Sequence, residues 1–190
     1  RNAKWAYNIL EDKQGDLWIG TYMGGIFKVN KNQLLSSSGS FIASKNYTQS
    51  DGLLADFANQ IVDNGRGKIL ALFYNLGISS IDPLTGKVEE WKDKEGKSLN
   101  QSTFMLKDRE GTVWIGQHGE LRRVDKNDRN DLLVFDPVVK GEVTAMVEVG
   151  DEIWLSTNGG VWSVNKKSLK PELLRYSHDI TAMYYDQIQH

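Results

Sequence analysis

Asp12-Lys13-Gln14-Gly15-Asp16-Leu17-Trp18-Ile19-Gly20-Thr21 is the stretch that decides the fold, because the chain repeats it. It returns as Asp108-Arg109-Glu110-Gly111-Thr112-Val113-Trp114-Ile115-Gly116-Gln117 and, with a shortened turn, as Gly150-Asp151-Glu152-Ile153-Trp154-Leu155-Ser156-Thr157. A degraded copy is Asn64-Gly65-Arg66-Gly67-Lys68-Ile69-Leu70-Ala71-Leu72-Phe73. Trp18, Leu70, Trp114 and Trp154 therefore share one position, spaced by 52, 44 and 40 residues. That is the length of a four-stranded propeller blade, roughly 40–50 residues.

The logic of one unit can be read around that core. A short apolar strand comes first: Tyr7 to Glu11, Asn59 to Val62, Thr103 to Leu106, Val143 to Val147. An Asp-x-x-Gly turn follows, in which Asp bonds backbone two residues on and Gly15, Gly67 or Gly111 takes a positive φ. The fourth unit contracts this turn to Gly150-Asp151, a two-residue hairpin signal. The second strand is apolar on both faces, with Leu17, Ile19 and Thr21 on one side and Trp18 and Gly20 on the other. A strand sandwiched between neighbouring sheets reads this way, and the Gly beside the Trp lets the next sheet approach closely. The third strands are Gly25 to Asn30, Gly77 to Asp82, Glu120 to Asp125 and Gly160 to Asn165. The outer strands, Phe41 to Tyr47, Val88 to Trp91, Leu132 to Phe135 and Leu173 to Tyr176, are irregular and charged, as an edge should be. No segment shows helical periodicity over ten or more residues.

The expected fold is all-β: a propeller with four complete four-stranded blades, at about 5–47, 57–91, 102–136 and 142–176. The start of a fifth unit, 179–190, would supply one more inner strand near Thr181 to Tyr185. A lone inner strand closes nothing, so the chain reads as an open arc of a seven-bladed ring. No signal segment follows Arg1, so the stretch reads as lying inside a longer gene product. The arc should bury Trp18, Trp114 and Trp154 between sheets, find its remaining blades elsewhere in the parent chain, and self-associate through its open ends.

Composition excludes several classes. The chain has 190 residues, 39% of them hydrophobic and 25% charged, and 23 Lys and Arg against 25 Asp and Glu give a net charge of −2. A surface so near neutral has no field to hold nucleic acid. The absence of Cys removes disulfides, thiolate catalysis and Cys-based zinc sites. The longest apolar run, Ile69 to Phe73, is far too short to span a bilayer, so no membrane contact is expected of this segment.

Core positions are fixed by packing, whereas loops are free to carry function. In propellers the connections from second to third strand converge near the channel. Here they are Thr21 to Gly24, Tyr74 to Leu76, Gln117 to Gly119 and Thr157 to Gly159. They differ most where their flanks agree best, which makes Tyr22, Tyr74, Asn75, His118 and Asn158 the candidate ligand-binding residues. The competing reading is turn chemistry, since Asn and Gly suit positive φ. Two readings stay open for Trp5: stacking on the apolar face of a pyranose, or covering for a neighbouring blade. His118, His178 and Glu120 hint at a metal or an acid–base pair, but no catalytic spacing supports it. No catalytic residue, metal or cofactor is expected.

The units resemble the two-component regulator propeller repeat, in which an Asp-x-x-Gly turn leads to Trp-Ile-Gly-Thr and then to a Gly-apolar strand ending in Asn or Asp. Asp12 to Asn30 follows it closely; Asp108 to Asp125 departs mainly at Gln117 and Glu120. Ser50-Asp51-Gly52-Leu53 is similar to the Asp-Gly-Leu that precedes a unit in this family. The second unit departs at Leu70 and Leu72. The resemblance implies a periplasmic sensor segment of a hybrid two-component histidine kinase, with an oligosaccharide as ligand and control of carbohydrate-utilisation genes as output. A propeller lyase with a metal-assisted His on the channel face and a non-catalytic protein-interaction propeller are the alternatives.

Overall fold

The computed structural model describes residues 5–36, 43–93, 95–124, 141–176 and 180–186. Two compact units, Arg1–Asn100 and Gln101–His190, each hold two antiparallel sheets whose strands lie in sequence order.

In the first unit, sheet one contains β1 (Ala6–Glu11), β2 (Asp16–Thr21), β3 (Ile26–Asn30) and β4 (Lys45–Tyr47). Sheet two contains β5 (Gln60–Asp63), β6 (Ile69–Phe73), β7 (Gly77–Ile81) and β8 (Val88–Glu90). In the second unit, sheet three holds β9 (Ser102–Lys107), β10 (Val113–Gln117) and β11 (Glu120–Arg123). Sheet four holds β12 (Val143–Val149), β13 (Glu152–Thr157), β14 (Gly160–Asn165) and β15 (Pro171–Arg175). These are the expected propeller blades. The outer strand expected at Leu132 to Phe135 lies outside the described residues, as do part of Phe41 to Tyr47 and His178.

Each turn does more than the sequence pattern announces. Asp12 Oδ1 accepts from the Gln14 and Asp16 amides, both at 2.9 Å, while Oδ2 accepts the Trp18 indole N–H at 2.8 Å. Asp108 repeats this, taking the Thr112 amide at 2.8 Å and the Trp114 indole at 2.9 Å. One carboxylate thus closes the turn and anchors the core indole. Where the second unit replaces Trp with Leu70, the acceptor becomes Asn64, whose single Oδ1 still serves Arg66 and Lys68. The contracted fourth turn has no such Asp, and Glu152 accepts the Trp154 indole at 2.9 Å instead. At the far end of the third strand, Asn30, Asp82 and Asn165 each accept two amides, two and three residues on. At Asn30 this caps a short helix, α1 (Lys31–Ser36), which six residues are too few to announce by periodicity. Asp51 likewise accepts the Thr48 amide and hydroxyl, Gly52 takes φ 110° and Leu53 is buried, which explains the Asp-Gly-Leu signature.

Within each unit, facing sheets meet around the repeat Trp. Trp18 packs with Ile61, Ala71 and Phe73, stacks on Tyr47 at 5.6 Å, and has the Lys28 ammonium over its ring. Trp114 packs with Met146, Leu155 and Trp162. Two residues after each Trp, the sheets touch. A Cβ on Gly20 would lie 3.0 Å from the Ala58 carbonyl, and one on Gly116 only 2.6 Å from Val143.

Two expectations need correction. Trp18 and Trp114 are fully buried, but Trp154 is only half-buried. Its row, Val147–Trp154–Ser163, lies on the face of sheet four turned away from sheet three, opposite the Met146–Leu155–Trp162 row. The second correction is the fifth inner strand: residues 180–186 form no strand. An inner strand is held by its ladder to the second strand of its own unit, and none of the described residues supplies one. The segment nevertheless lies where that strand belongs. Thr144 Oγ1 donates to the Ile180 carbonyl at 2.6 Å, as Thr103 Oγ1 donates to the Val143 carbonyl at 2.7 Å.

Candidate functional site: an exposed aromatic cluster

The candidate residues sit at the second-to-third strand ends of their sheets. In the first unit, Tyr22 and Tyr74 are exposed, and Asn75 has φ 59°. Asn75 therefore fits the turn-chemistry reading. Tyr74 donates its amide to Asn59 Oδ1 at 2.8 Å, which ties that connection to the start of β5. In the second unit, Asn158 is exposed beside Gly141, and His118 lies 3.8 Å from Glu142, to which it is also bridged through backbone. No group of three or more His, Asp and Glu is placed to hold a metal among the described residues.

Tyr22 is drawn into a larger assembly. Its ring centroid lies 5.7 Å from that of Trp5, tilted by 39°, and 6.1 Å from that of Tyr7, edge-on at 85°. Its amide donates to the Trp5 carbonyl at 2.9 Å. Such offset and edge-on pairs are the favoured aromatic geometries. What is unusual is their exposure: Trp5 is 65% exposed, Tyr7 50% and Tyr22 38%. Met23, 63% exposed at φ 62°, flanks them on the connection to Gly25. Gly25 holds that connection down. Its amide donates to the Asp56 carbonyl at 2.8 Å, and a Cβ there would strike the Tyr47 carbonyl.

Tyr7 was not among the sequence candidates, and it is the strand pairing that singles it out. The β1–β2 ladder shifts register between Ala6 and Asn8, leaving Tyr7 without an opposite residue. Sheets three and four have the same bulge, at Thr103 and Thr144, whose hydroxyls reach the next inner segment. In sheet one Asn8 takes that task, donating to the Asn59 carbonyl at 2.7 Å. The bulge residue is released from packing and carries an aromatic ring. Bulges re-aim side chains in this way beside functional sites.

A concavity of 370 Å³ lies at the turn end of sheets three and four, lined by Glu110, Arg123, Asp151, Lys166 and Lys167. Several of its charges are paired with one another. Lys166 pairs with Glu148 at 2.7 Å and Glu110 at 3.4 Å, and Glu148 also accepts the Arg109 amide at 2.8 Å. Burial disfavours the Glu148 carboxylate, but Lys166 and the Arg109 amide outweigh it and hold its pKa below the ordinary value. Burial likewise opposes the Lys166 ammonium, and Glu148 reverses that, raising its pKa. This is a structural clamp across the sheet pair.

Comparison with known proteins agrees with the repeat. Residues 2–23 match the family model described as two component regulator propeller. No curated protein matches. Among solved structures, the chain is similar to the extracellular domain of the hybrid two component system BT4673 from B. thetaiotaomicron. The two are 34% identical, with a TM-score of 0.84, over 96% of this chain and 25% of that one. A second structure of that extracellular domain, described as a one component system, gives 34% identity and a TM-score of 0.85 over the same shares. The extracellular domain of the hybrid two component system BT3049 from the same organism shares the fold, at 18% identity and a TM-score of 0.66, over 94% of this chain and 23% of that one. The chain thus spans a quarter of the length of these two solved structures.

Proposed function

We propose that this chain is a ligand-sensing, extracytoplasmic propeller segment of a hybrid two-component system, and that its ligand is an oligosaccharide stacked on Trp5, Tyr7 and Tyr22. The similarity to extracellular domains of such systems supports the sensing role. The exposed three-ring cluster carries the ligand class. The C–H face of a pyranose is apolar and its rim is hydroxylated. It therefore pairs with an exposed aromatic platform better than with a closed apolar pocket. The three rings differ in tilt, so one sugar does not cover all of them. Adjoining sugars of a chain would meet different rings. The segment binds and does not turn over, and any transmission to a kinase belongs to the parent protein, as does control of carbohydrate-utilisation genes.

Titration calorimetry of the chain against a library of soluble oligosaccharides tests this. At least one should bind. Tyr22→Ala should then weaken it at least about tenfold, while His118→Ala leaves it unchanged. Binding that survives Tyr22→Ala, or no binding across the library, would overturn the assignment.

A further inference from the structure

Sheets one and two enclose a groove of 490 Å³ at their turn ends, lined by β3 and β4 on one side and by the β7–β8 connection on the other. That volume lies within the roughly 300–1,000 Å³ usual for a small-molecule site. The aromatic platform stands at the opposite end of β3, so the two places are separate. Tyr47 is the unusual residue of the lining. Its ring is buried and stacked on Trp18. Its hydroxyl lies beside Gly86, where even a Cβ would stay 3.8 Å away, and no hydrogen bond from a described residue reaches it. A buried phenol normally finds a partner. Burial raises the Tyr47 pKa, against the pull of Lys28 and Lys45, so the group stays an O–H donor at neutral pH. Two ammonium groups share the groove with it. Lys28 Nζ lies over the Trp18 ring, 3.0 Å from Asp16 and 3.5 Å from the Pro83 carbonyl. Lys45 Nζ lies over the Tyr47 ring at 5.3 Å and pairs at 3.0 Å with Asp51, which is outside the lining. The only carboxylate among the described lining residues, Asp16, is already engaged by Lys28 and by the Asn30 amide at 3.1 Å. The groove therefore holds donors in excess. Ser44 on the sheet-one side and Thr85 on the sheet-two side add hydroxyls, and Pro83 and the exposed Leu84 add an apolar edge.

We propose that this groove binds a sugar acid, a hydroxylated carboxylate of hexuronate size, whose carboxylate accepts the Tyr47 hydroxyl between the Lys28 and Lys45 ammonium groups. A hydrogen bond from a neutral O–H to a carboxylate is of the strong, charge-assisted kind. The two lysines supply the countercharge, and their seats over the Trp18 and Tyr47 rings hold them in place before the ligand arrives. The hydroxyls of the sugar meet Ser44 and Thr85, and its C–H face meets Pro83 and Leu84. A bare sulfate leaves most of the groove empty. A neutral sugar leaves the ammonium groups unanswered.

Titration calorimetry of the chain with glucuronate tests the proposal, with glucose and inorganic sulfate as comparison ligands. Glucuronate should bind at one site, more weakly as salt is raised, and at least about tenfold tighter than either comparison ligand. Tyr47→Phe keeps the stack on Trp18 and removes only the hydroxyl. It should leave the urea midpoint unchanged, because that hydroxyl has no partner to lose. It should weaken glucuronate at least about tenfold, the loss of one hydrogen bond to a charged group. Lys45→Gln should weaken it as well, whereas Lys170→Gln, the same charge change in the second unit, should not. These variants leave Trp5, Tyr7 and Tyr22 untouched, so the outcome is independent of the aromatic platform. No binding of glucuronate by the wild type, equal binding of glucose or sulfate, or full affinity in Tyr47→Phe would overturn the proposal.

Discussion

The replacement of Asp108 by Asn should be costly only while Trp114 is present. Asp108 is 5% exposed and uses both oxygens, one for the Thr112 amide and one for the Trp114 indole. Asn keeps the first bond through its Oδ1. Its amide nitrogen then faces the indole N–H, donor against donor, at a buried position. A buried hydrogen bond to a charged group is worth about 1.5–3 kcal/mol, so Asp108→Asn should destabilise the second unit by about that amount. Trp114→Leu is costly on its own, by about 3–5 kcal/mol as an upper range for losing a buried aromatic. In the Trp114→Leu background no indole remains, and Asp108→Asn should cost less than about 0.5 kcal/mol. The second unit of the repeat already holds this pair, Asn64 with Leu70. The assay is a double-mutant cycle from urea unfolding, followed by far-ultraviolet circular dichroism so that loss of the Trp does not change the probe. An equal penalty for Asp108→Asn in both backgrounds would refute the reasoning, since the carboxylate would then serve the turn alone.

Three further outcomes follow from packing and charge. Gly116→Ala places a Cβ 2.6 Å from Val143 and should cost about 1–3 kcal/mol by overpacking; an unchanged urea midpoint would show that the sheets part freely there. Trp18→Ala and Trp114→Ala should each cost about 3–5 kcal/mol, while Trp154→Ala, half-buried, should cost distinctly less, and three equal losses would contradict the open fourth face. The depressed pKa of Glu148 makes its contribution present above the unfolded value of about 4.3 and lost as pH falls through the lower folded value. The difference in stability between the wild type and Glu148→Gln should therefore shrink in acid below that point, and a difference that persists to the acid limit would place its cause outside the ion pair.

The blades were legible because the strongest local signals repeat. Asp12, Gly15, Trp18 and Gly20 each have a definite physical task, and the same residues recur where the task recurs. What stayed hidden depends on what lies opposite. Trp154 matches Trp18 in sequence, yet its burial is decided by whatever packs on sheet four. The segment at Thr181 to Tyr185 has the composition of a strand, and no strand forms there. The helix at Lys31–Ser36 is too short for periodicity and is started by Asn30, which reads equally as the end of a strand. The candidate site was found in part. Tyr22 stood out as a variable loop position, but Tyr7 emerges only once the bulge shows that it is freed from the ladder. His118 and Asn158, reasonable by position, lie in the second compact unit.

The shortened turn at Gly150-Asp151 bears on how this scaffold can be altered. In the first and third repeats the indole is held by the turn itself, through Asp12 or Asp108, so lengthening the loop would pull the acceptor away from the core. In the fourth repeat the acceptor, Glu152, belongs to the strand. The 150–151 hairpin is thereby uncoupled from the Trp it precedes. It is the place to splice in a fluorescent tag or an affinity peptide, and the corresponding loops at 13–15 and 109–111 are the places to leave intact.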